Sequence, residues 1–332
     1  MNLTVHCTLL TVNLLKGSDI VREPIVAIVG PTAVGKTRLS LTLAQELQGE
    51  IISADSMQVY KKMDIGTAKA SKQEQKLVPH HLIDIIKPDQ EFSVADFQER
   101  VDELIPKIYG RGKLPMLVGG TGLYVQAVIE GFIFPEMEPD WQLRERLTAE
   151  AEKKGTEVVH DKLKKIDPKL ADKLHPNDLR RVIRGIEVYQ QTGQTSTYFQ
   201  QKAEDAPPRY QAVKIGLRRE RDSLYQRINQ RVDLMIKEGL VDEVRELYKE
   251  GYDRDLISMQ GLGYKELIAY FEGEYDLEEA IRLIKRDTRH FAKRQFTWFK
   301  RDKSIHWFDV DQYDFDDLLT DAKGLIESKI EL

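Results

Sequence analysis

The chain holds a single cysteine, Cys7, among 332 residues, which excludes a disulfide framework and any cysteine-based zinc site. No apolar run approaches the ~18 to 20 residues that span a bilayer, so no membrane partner is expected. The His80-His81 pair has no carboxylate or cysteine spacing that would complete a zinc site, and no histidine is expected to be catalytic. Internal repeats and low-complexity tracts are absent. Leu9 to Leu15 is mildly apolar, but no basic segment precedes it and no small-residue cleavage pattern follows. Residues 1–23 therefore read as an N-terminal extension, and the fold proper is expected to begin near Pro24. A cytoplasmic, monomeric protein is expected.

Net charge is −5, which by itself argues against nucleic acid. Its distribution argues otherwise. Between Arg282 and Lys303 stand Arg282, Lys285, Arg286, Arg289, Lys293, Arg294, Lys300, Arg301 and Lys303, against only Asp287 and Asp302. On a helix over 276–301, Arg282, Lys285 or Arg286, Arg289 and Lys293 share one face, opposite Ile281, Ile284, Thr288 and Phe291. Such a stripe suits backbone phosphates, and an ordinary amphipathic helix is the alternative.

Residues 30–37 (Gly30, Pro31, Thr32, Ala33, Val34, Gly35, Lys36, Thr37) make a complete G-x-x-x-x-G-K-[ST] phosphate loop. The apolar run Ile25 to Val29 precedes it and a helical pattern, Arg38 to Leu47, follows. Its backbone N–H groups and the helix N-terminus would face phosphate oxygens. Lys36 would reach the outer phosphates and Thr37 would ligate Mg2+. The loop binds a di- or triphosphate without saying which.

Further strands are expected at Glu50 to Ser53, His81 to Asp84, Leu114 to Val118 and Tyr210 to Leu217. Helices are expected over 94–109 with Ser93 as N-cap, and near 220–238, 240–250, 264–273 and 276–301. Alternation of strand and helix predicts an α/β fold: a P-loop NTPase-like parallel sheet core with helices on both faces. Residues 61–80 read as a mobile connector over the site or a plain surface loop. From 135 to 208 the pattern turns charged and helical (141–153, 156–166, 179–191), bracketed by prolines. The expected organisation is a core of 24–134 and 209–332 interrupted by a helical insertion domain, 135–208.

Ligands of such sheets bind beyond the carboxyl ends of the strands, where the phosphate loop, Asp55-Ser56 and Gly119-Gly120-Thr121-Gly122 converge. Asp55 could hold magnesium through water or act as a general base; capping the next element is the alternative. Many phosphate-loop ATPases carry an acidic residue where Gly-Gly-Thr-Gly stands, and its absence weakens a kinase reading. Thr121 could hydrogen-bond a substrate, or simply turn the chain into the next helix. Among Arg218, Arg219, Arg221, Arg227 and Arg231, at least one is expected at the diphosphate, Arg227 first and Arg231 on the same helix face. A solvated face pairing with Glu220, Asp222 or Asp233 is the alternative.

Six blocks in order resemble the bacterial tRNA dimethylallyltransferases, also called tRNA isopentenyltransferases. They are the phosphate loop, Ser53 to Tyr60, Met63 to Lys69, Val118 to Tyr124, Gly261 to Glu266 and Lys293 to Phe299, within a resemblance over roughly 24–310. The resemblance implies transfer of a dimethylallyl group from dimethylallyl diphosphate to N6 of adenine 37, beside the tRNA anticodon. It implies Asp55 as base and Thr121 near the adenine. Contacts to the anticodon stem-loop are expected from Asp55, Ser56, Met57, Gln58, Thr121, Gln260, Gly263, Tyr264, Lys265, Lys293, Arg294, Gln295 and Trp298. In the insertion they are expected from Asn177, Arg180 and Arg181, with Arg184 nearby. An enzyme of free adenine nucleotides, a small-molecule kinase and a non-catalytic RNA-binding module are the rival readings. The basic stripe and the insertion argue against the first, and the intact Lys36, Thr37 and Asp55 against the last.

Overall fold

A computed structural model describes residues 22–330. Cys7 and nearly all of the expected extension lie outside the described residues. The apolar run after Pro24 is buried at every position from Ile25 to Val29, as a strand covered on both faces must be. It forms β1 (Glu23–Val29). β2 (Gly49–Ala54), β3 (His80–His81), β4 (Leu114–Gly119), β5 (Tyr210–Arg218) and β6 (His306–Asp309) complete one sheet. Its order is β3-β2-β4-β1-β5-β6 and all pairs are parallel.

One face is covered by α1 (Lys36–Glu46) and α14 (Phe315–Glu327), which close over Val26, Ile28, Ile215 and Leu217. The other is covered by α3 (Val94–Tyr109) and α4 (Gly122–Glu130), over Ile25, Ala27 and Leu117. Ser93 caps α3 as expected: its hydroxyl accepts the Asp96 N–H while the Asp96 carboxylate accepts the Ser93 N–H. The chain is thus an α/β protein with a parallel, two-sided sheet. The strand expected over His81 to Asp84 stops at His81, because Leu82 and Asp84 take left-handed backbone angles (φ 59° and 56°). β6 and α14, beyond the last patterned helix, were not expected.

Residues 61–80 are not a loose connector. They include α2 (Lys72–Leu77). The Glu243 carboxylate accepts the N–H groups of Asp64, Ile65 and Gly66, and Lys69 Nζ donates to the Tyr60 carbonyl, Asp64 and Asp84.

Between β4 and β5 lie α5 (Trp141–Lys154), α6 (Thr156–Ile166), α7 (Pro168–Ala171), α8 (Leu179–Thr192) and α9 (Ser196–Glu204). Together they bury an apolar cluster of their own, around Leu147, Val159, Leu163, Val182 and Ile186. Within it Glu187, fully buried, accepts two bonds from Arg144 (2.8 and 3.0 Å), one from Arg184 (2.7 Å) and the Asp140 N–H. Arg184, of the basic cluster expected there, is thus half-exposed and paired with Glu187. α10 (Arg221–Lys237), α11 (Leu240–Lys249), α12 (Tyr264–Phe271) and α13 (Leu277–Phe299) pack a further cluster onto Val59 and Met63.

Removing a buried carboxylate strands the cations around it, and these arginines keep part of their surface in water, so the cost falls below that of a fully buried pair. Glu187→Ala is expected to destabilise the chain by about 2–3 kcal/mol, read as a lower urea midpoint at unchanged slope.

Candidate active site

In register, Val29 of β1 and Ala54 of β2 both pair with Gly119 of β4. The residues that follow these strand ends, Gly30, Asp55 and Gly120, therefore emerge side by side at one edge of the sheet. Gly30 has φ 143°, and a Cβ there would run into the Leu217 carbonyl of β5, so only glycine fits. Ala33, at φ 63°, holds the loop in a left-handed conformation that a non-glycine residue seldom takes.

Lys36 Nζ donates to the Gly30 and Pro31 carbonyls at 2.9 and 2.8 Å. Burial, reinforced by Arg231, pushes its ammonium down to about 7, against the pull of Asp55. Asp55 Oδ1 accepts the Met57 N–H at 2.9 Å. Burial pushes its carboxyl above the ordinary value, while that bond and the charges of Lys36 and Arg231 act the other way. Arg231 is lowered by burial and by Arg227 as well. Its guanidinium makes no hydrogen bond or ion pair among the described residues. Arg227 Nε donates to the Ala33 carbonyl at 3.2 Å. α10 thus presents two arginines, four residues apart, to the phosphate loop.

On the opposite side Thr121 Oγ1 accepts the Ser56 N–H at 3.0 Å, and the Thr121 N–H donates to Ala54. A phosphate loop, two arginines, a lysine, a half-buried carboxylate and a threonine hydroxyl meet in one site beyond the carboxyl ends of β1, β2 and β4. It can hold a polyphosphate and take a proton next to it.

The IPP transferase family model matches residues 58–302, about three quarters of the chain. The chain belongs to the IPP transferase family. A second model, isopentenyl transferase, matches residues 23–85. Among its relatives, the tRNA dimethylallyltransferase of Halothermothrix orenii is 60% identical over 301 residues, 91% of this chain and 92% of that protein. The crystal structure of the full-length tRNA isopentenylpyrophosphate transferase from Bacillus halodurans superposes with TM-score 0.70 at 50% identity, covering 93% of this chain and 98% of that one. A eukaryotic dimethylallyltransferase, crystallised acting on tRNA, gives TM-score 0.79 at 29% identity, over 93% and 80%.

Within this transferase the expected RNA contacts separate into two groups. Gly263, Tyr264 and Gln295 are buried and Gln58 is half-buried, and all four are hydrogen-bonded within the protein. The Gln58 amide accepts from Ser53 Oγ and donates to the Thr67 and Ala68 carbonyls. Gly263 and Tyr264 are buried at the start of α12, where the Tyr264 hydroxyl donates to Glu243 and its ring fills the space that Gly66 leaves without a side chain. Two blocks of the resemblance, 63–69 and 261–266, thus dock on each other and support the segment after Asp55.

Gln260 is exposed, its amide bonded to the Arg254 carbonyl, and Lys265 reaches Glu266 and Asp287. Asn177, Arg180 and Arg181 are exposed at the start of α8, where Arg181 pairs with Asp178. The basic stripe is divided as well. Arg282 pairs with Glu279, Lys285 with Asp233 and Arg286 with Asp287, and Arg289 donates to Asn229. Among the described residues, Lys293, Arg294, Lys300, Arg301 and Lys303 carry no ion pair, and Lys293 and Arg294 stand next to Gln295, which bonds to the phosphate loop. Trp298, 39% exposed, lies over Gly122. Beyond it a cavity of about 350 Å3 is lined by Val125, Ile129, Phe299 and the Lys214–Asp302 pair, and it excludes Asp55, Lys36 and Thr121.

A lysine near 7 loses charge as pH rises, and with it the attraction for an anion. Inorganic diphosphate is therefore expected to bind less tightly as pH climbs from 6 to 8, relative to a Lys36→Met variant measured alongside by calorimetry. The variant cancels the ionisation of diphosphate itself.

Proposed function

We propose that the chain transfers a dimethylallyl group from dimethylallyl diphosphate to N6 of adenosine 37 in tRNA, with Asp55 as general base. Dimethylallyl transfer to a tRNA adenosine is the reaction of its family. The single observation that carries the finer reading is the juxtaposition of Asp55 with Thr121 on one side of the phosphate loop and Lys36 and Arg231 on the other.

The allylic C–O bond breaks and its electron pair leaves with diphosphate. Lys36, Arg227, Arg231 and the loop N–H groups stabilise that charge. N6 forms the new bond to C1 and passes a proton to Asp55. A base is needed because the N6 lone pair is delocalised into the ring. Burial suits Asp55 to the task, since a carboxylate of raised pKa is a better base. Thr121 orients the adenine.

Thr37 is exposed at the start of α1 and its hydroxyl bonds to no described residue, which fits a single protein ligand of Mg2+. Bound there with diphosphate and water oxygens, Mg2+ would add charge stabilisation to the leaving group.

The target base must be presented unstacked, as an anticodon loop allows. Lys293 and Arg294 with the neighbouring free cations suit its backbone phosphates, as do Asn177, Arg180 and Arg181 of the insertion. Ser56, Met57, Lys265 and Trp298 line the approach between them. The insertion, residues 135–208, clasps the stem-loop against the core. A cytoplasmic monomer suits this reading.

Labelled dimethylallyl diphosphate with unmodified tRNA, AMP or ATP tests it: label at adenosine 37 is expected. Label in AMP or ATP alone would move the chain to the enzymes of free nucleotides. Asp55→Ala is expected to lower turnover by roughly 10²- to 10⁴-fold while tRNA affinity stays within a few-fold. In the wild type, kcat/KM should fall toward acid pH, as Asp55 protonates above the ordinary carboxylate value. Unchanged turnover in the variant would remove Asp55 from the base role.

A further inference from the structure

Gln295 lies in the sixth turn of α13, buried at 6% exposure, between the two loops that hold opposite partners of the reaction. Its Oε1 accepts the N–H of Thr32, in the phosphate loop, at 2.9 Å. Its Nε2 donates to the carbonyl of Gly120, in the loop that carries Thr121, at 3.0 Å. No other side chain among the described residues bonds to both loops.

Gly120 has the shape this bridge needs. A Cβ at 120 would overlap Gln295 Nε2, with Gln295 Cδ at 3.1 Å and the Gly30 carbonyl oxygen at 3.6 Å. Gly120 does not require glycine for its backbone angle; a side chain there would instead have to displace the Gln295 amide. α13 is also tied to α10, the helix of Arg227 and Arg231, through the bond from Arg289 to Asn229 at 2.7 Å. Gln295 thus stands where the leaving-group side, the acceptor side and the arginine helix meet.

We propose that Gln295 is a positioning residue that sets the register between the diphosphate loop and the acceptor loop, an inference that rests on the prenyl-transfer reading above. Displacement at C1 needs the attacking nitrogen, the carbon and the leaving oxygen in line and within about 3–3.5 Å. A misplacement of about 1 Å is enough to cost roughly 10²-fold in rate. Each loop can bind its own substrate without the other, whereas the transfer needs both at a fixed separation. Loss of the bridge therefore acts on the transfer step and little on either affinity.

The first test is Gln295→Met, which keeps the length and removes both acceptor and donor. With both substrates saturating, the single-turnover transfer rate is expected to fall at least about tenfold. Affinities for dimethylallyl diphosphate and for tRNA are expected to stay within about threefold. The share of dimethylallyl diphosphate lost to water should rise: the C1–O bond breaks, its electron pair leaves with diphosphate, and water bonds to C1 and releases a proton, giving dimethylallyl alcohol. A merely structural role would not change this partition. Gln295→Glu, which keeps an acceptor for Thr32 but sets an oxygen against the Gly120 carbonyl, should be slow as well.

An unchanged saturated rate in Gln295→Met, or a tenfold weaker dimethylallyl diphosphate affinity with the rate restored at saturation, overturns the proposal. If Gln295→Met does not fold, Gly120→Ala approaches the bridge from the other side. It should slow transfer by itself and add less than about twofold in a Gln295→Ala background, where the space is free. Additive losses there also overturn the proposal. A wild-type enzyme that fails to label tRNA would instead sink the reaction reading.

Discussion

The pairing of Val29 and Ala54 with Gly119 on either side of it is the constraint from which the rest of the site follows. Parallel strands end on the same edge, so three adjacent strands in this register deliver their next residues to one line. Gly30 begins the phosphate loop, Asp55 supplies the carboxylate and Gly120 opens the loop that carries Thr121. None of these segments is near another in sequence. A slip of one residue in β4 would turn its side chains to the opposite face and shift its loop by one strand step of about 3.3 Å.

The charged groups at these strand ends act on one another. Burial disfavours the ionised forms of Lys36 and Asp55, and each is partly held by the other. Arg231 is pushed down by the same burial and sits with Arg227 on one helix face. Two arginines and a lysine against one carboxylate leave positive charge that a diphosphate would neutralise. Low local dielectric is costly to unpaired charge and gives the same groups their strength once the anion is in place.

Much of this was legible in the residues themselves. The phosphate loop was readable because Gly30, Gly35, Lys36 and Thr37 are demanded by local backbone geometry and by phosphate chemistry. The capping of α3 by Ser93 and the apolar strands were readable because they depend on near neighbours and on burial on both faces. The helical insertion showed in its composition and period, and the structure gives those helices an apolar cluster of their own. What was missed lay at the edges: β6, α14 and the early stop of β3 depend on distant packing and on single left-handed residues such as Leu82 and Asp84.

The division among the motif residues was not legible in the same way. Gln58, Tyr264, Gln295, Lys293 and Arg294 are all polar or amphipathic residues in blocks that stand out in the chain. Three of them turn inward to hold the loops in place, and two remain free at the surface. Hydrogen-bonding groups suit either task, and a short motif does not say which partner lies opposite. The same holds for the basic residues of α13, half of them neutralised by acids of the same helix or, for Lys285, of α10. By itself the sequence determined the chemistry available to this protein: a phosphate-loop motif, a carboxylate at a strand end and a stripe of cations. Only the tertiary structure decided which of those groups face the cleft and which hold it together, because that depends on partners 60 to 260 residues away brought within 3 Å.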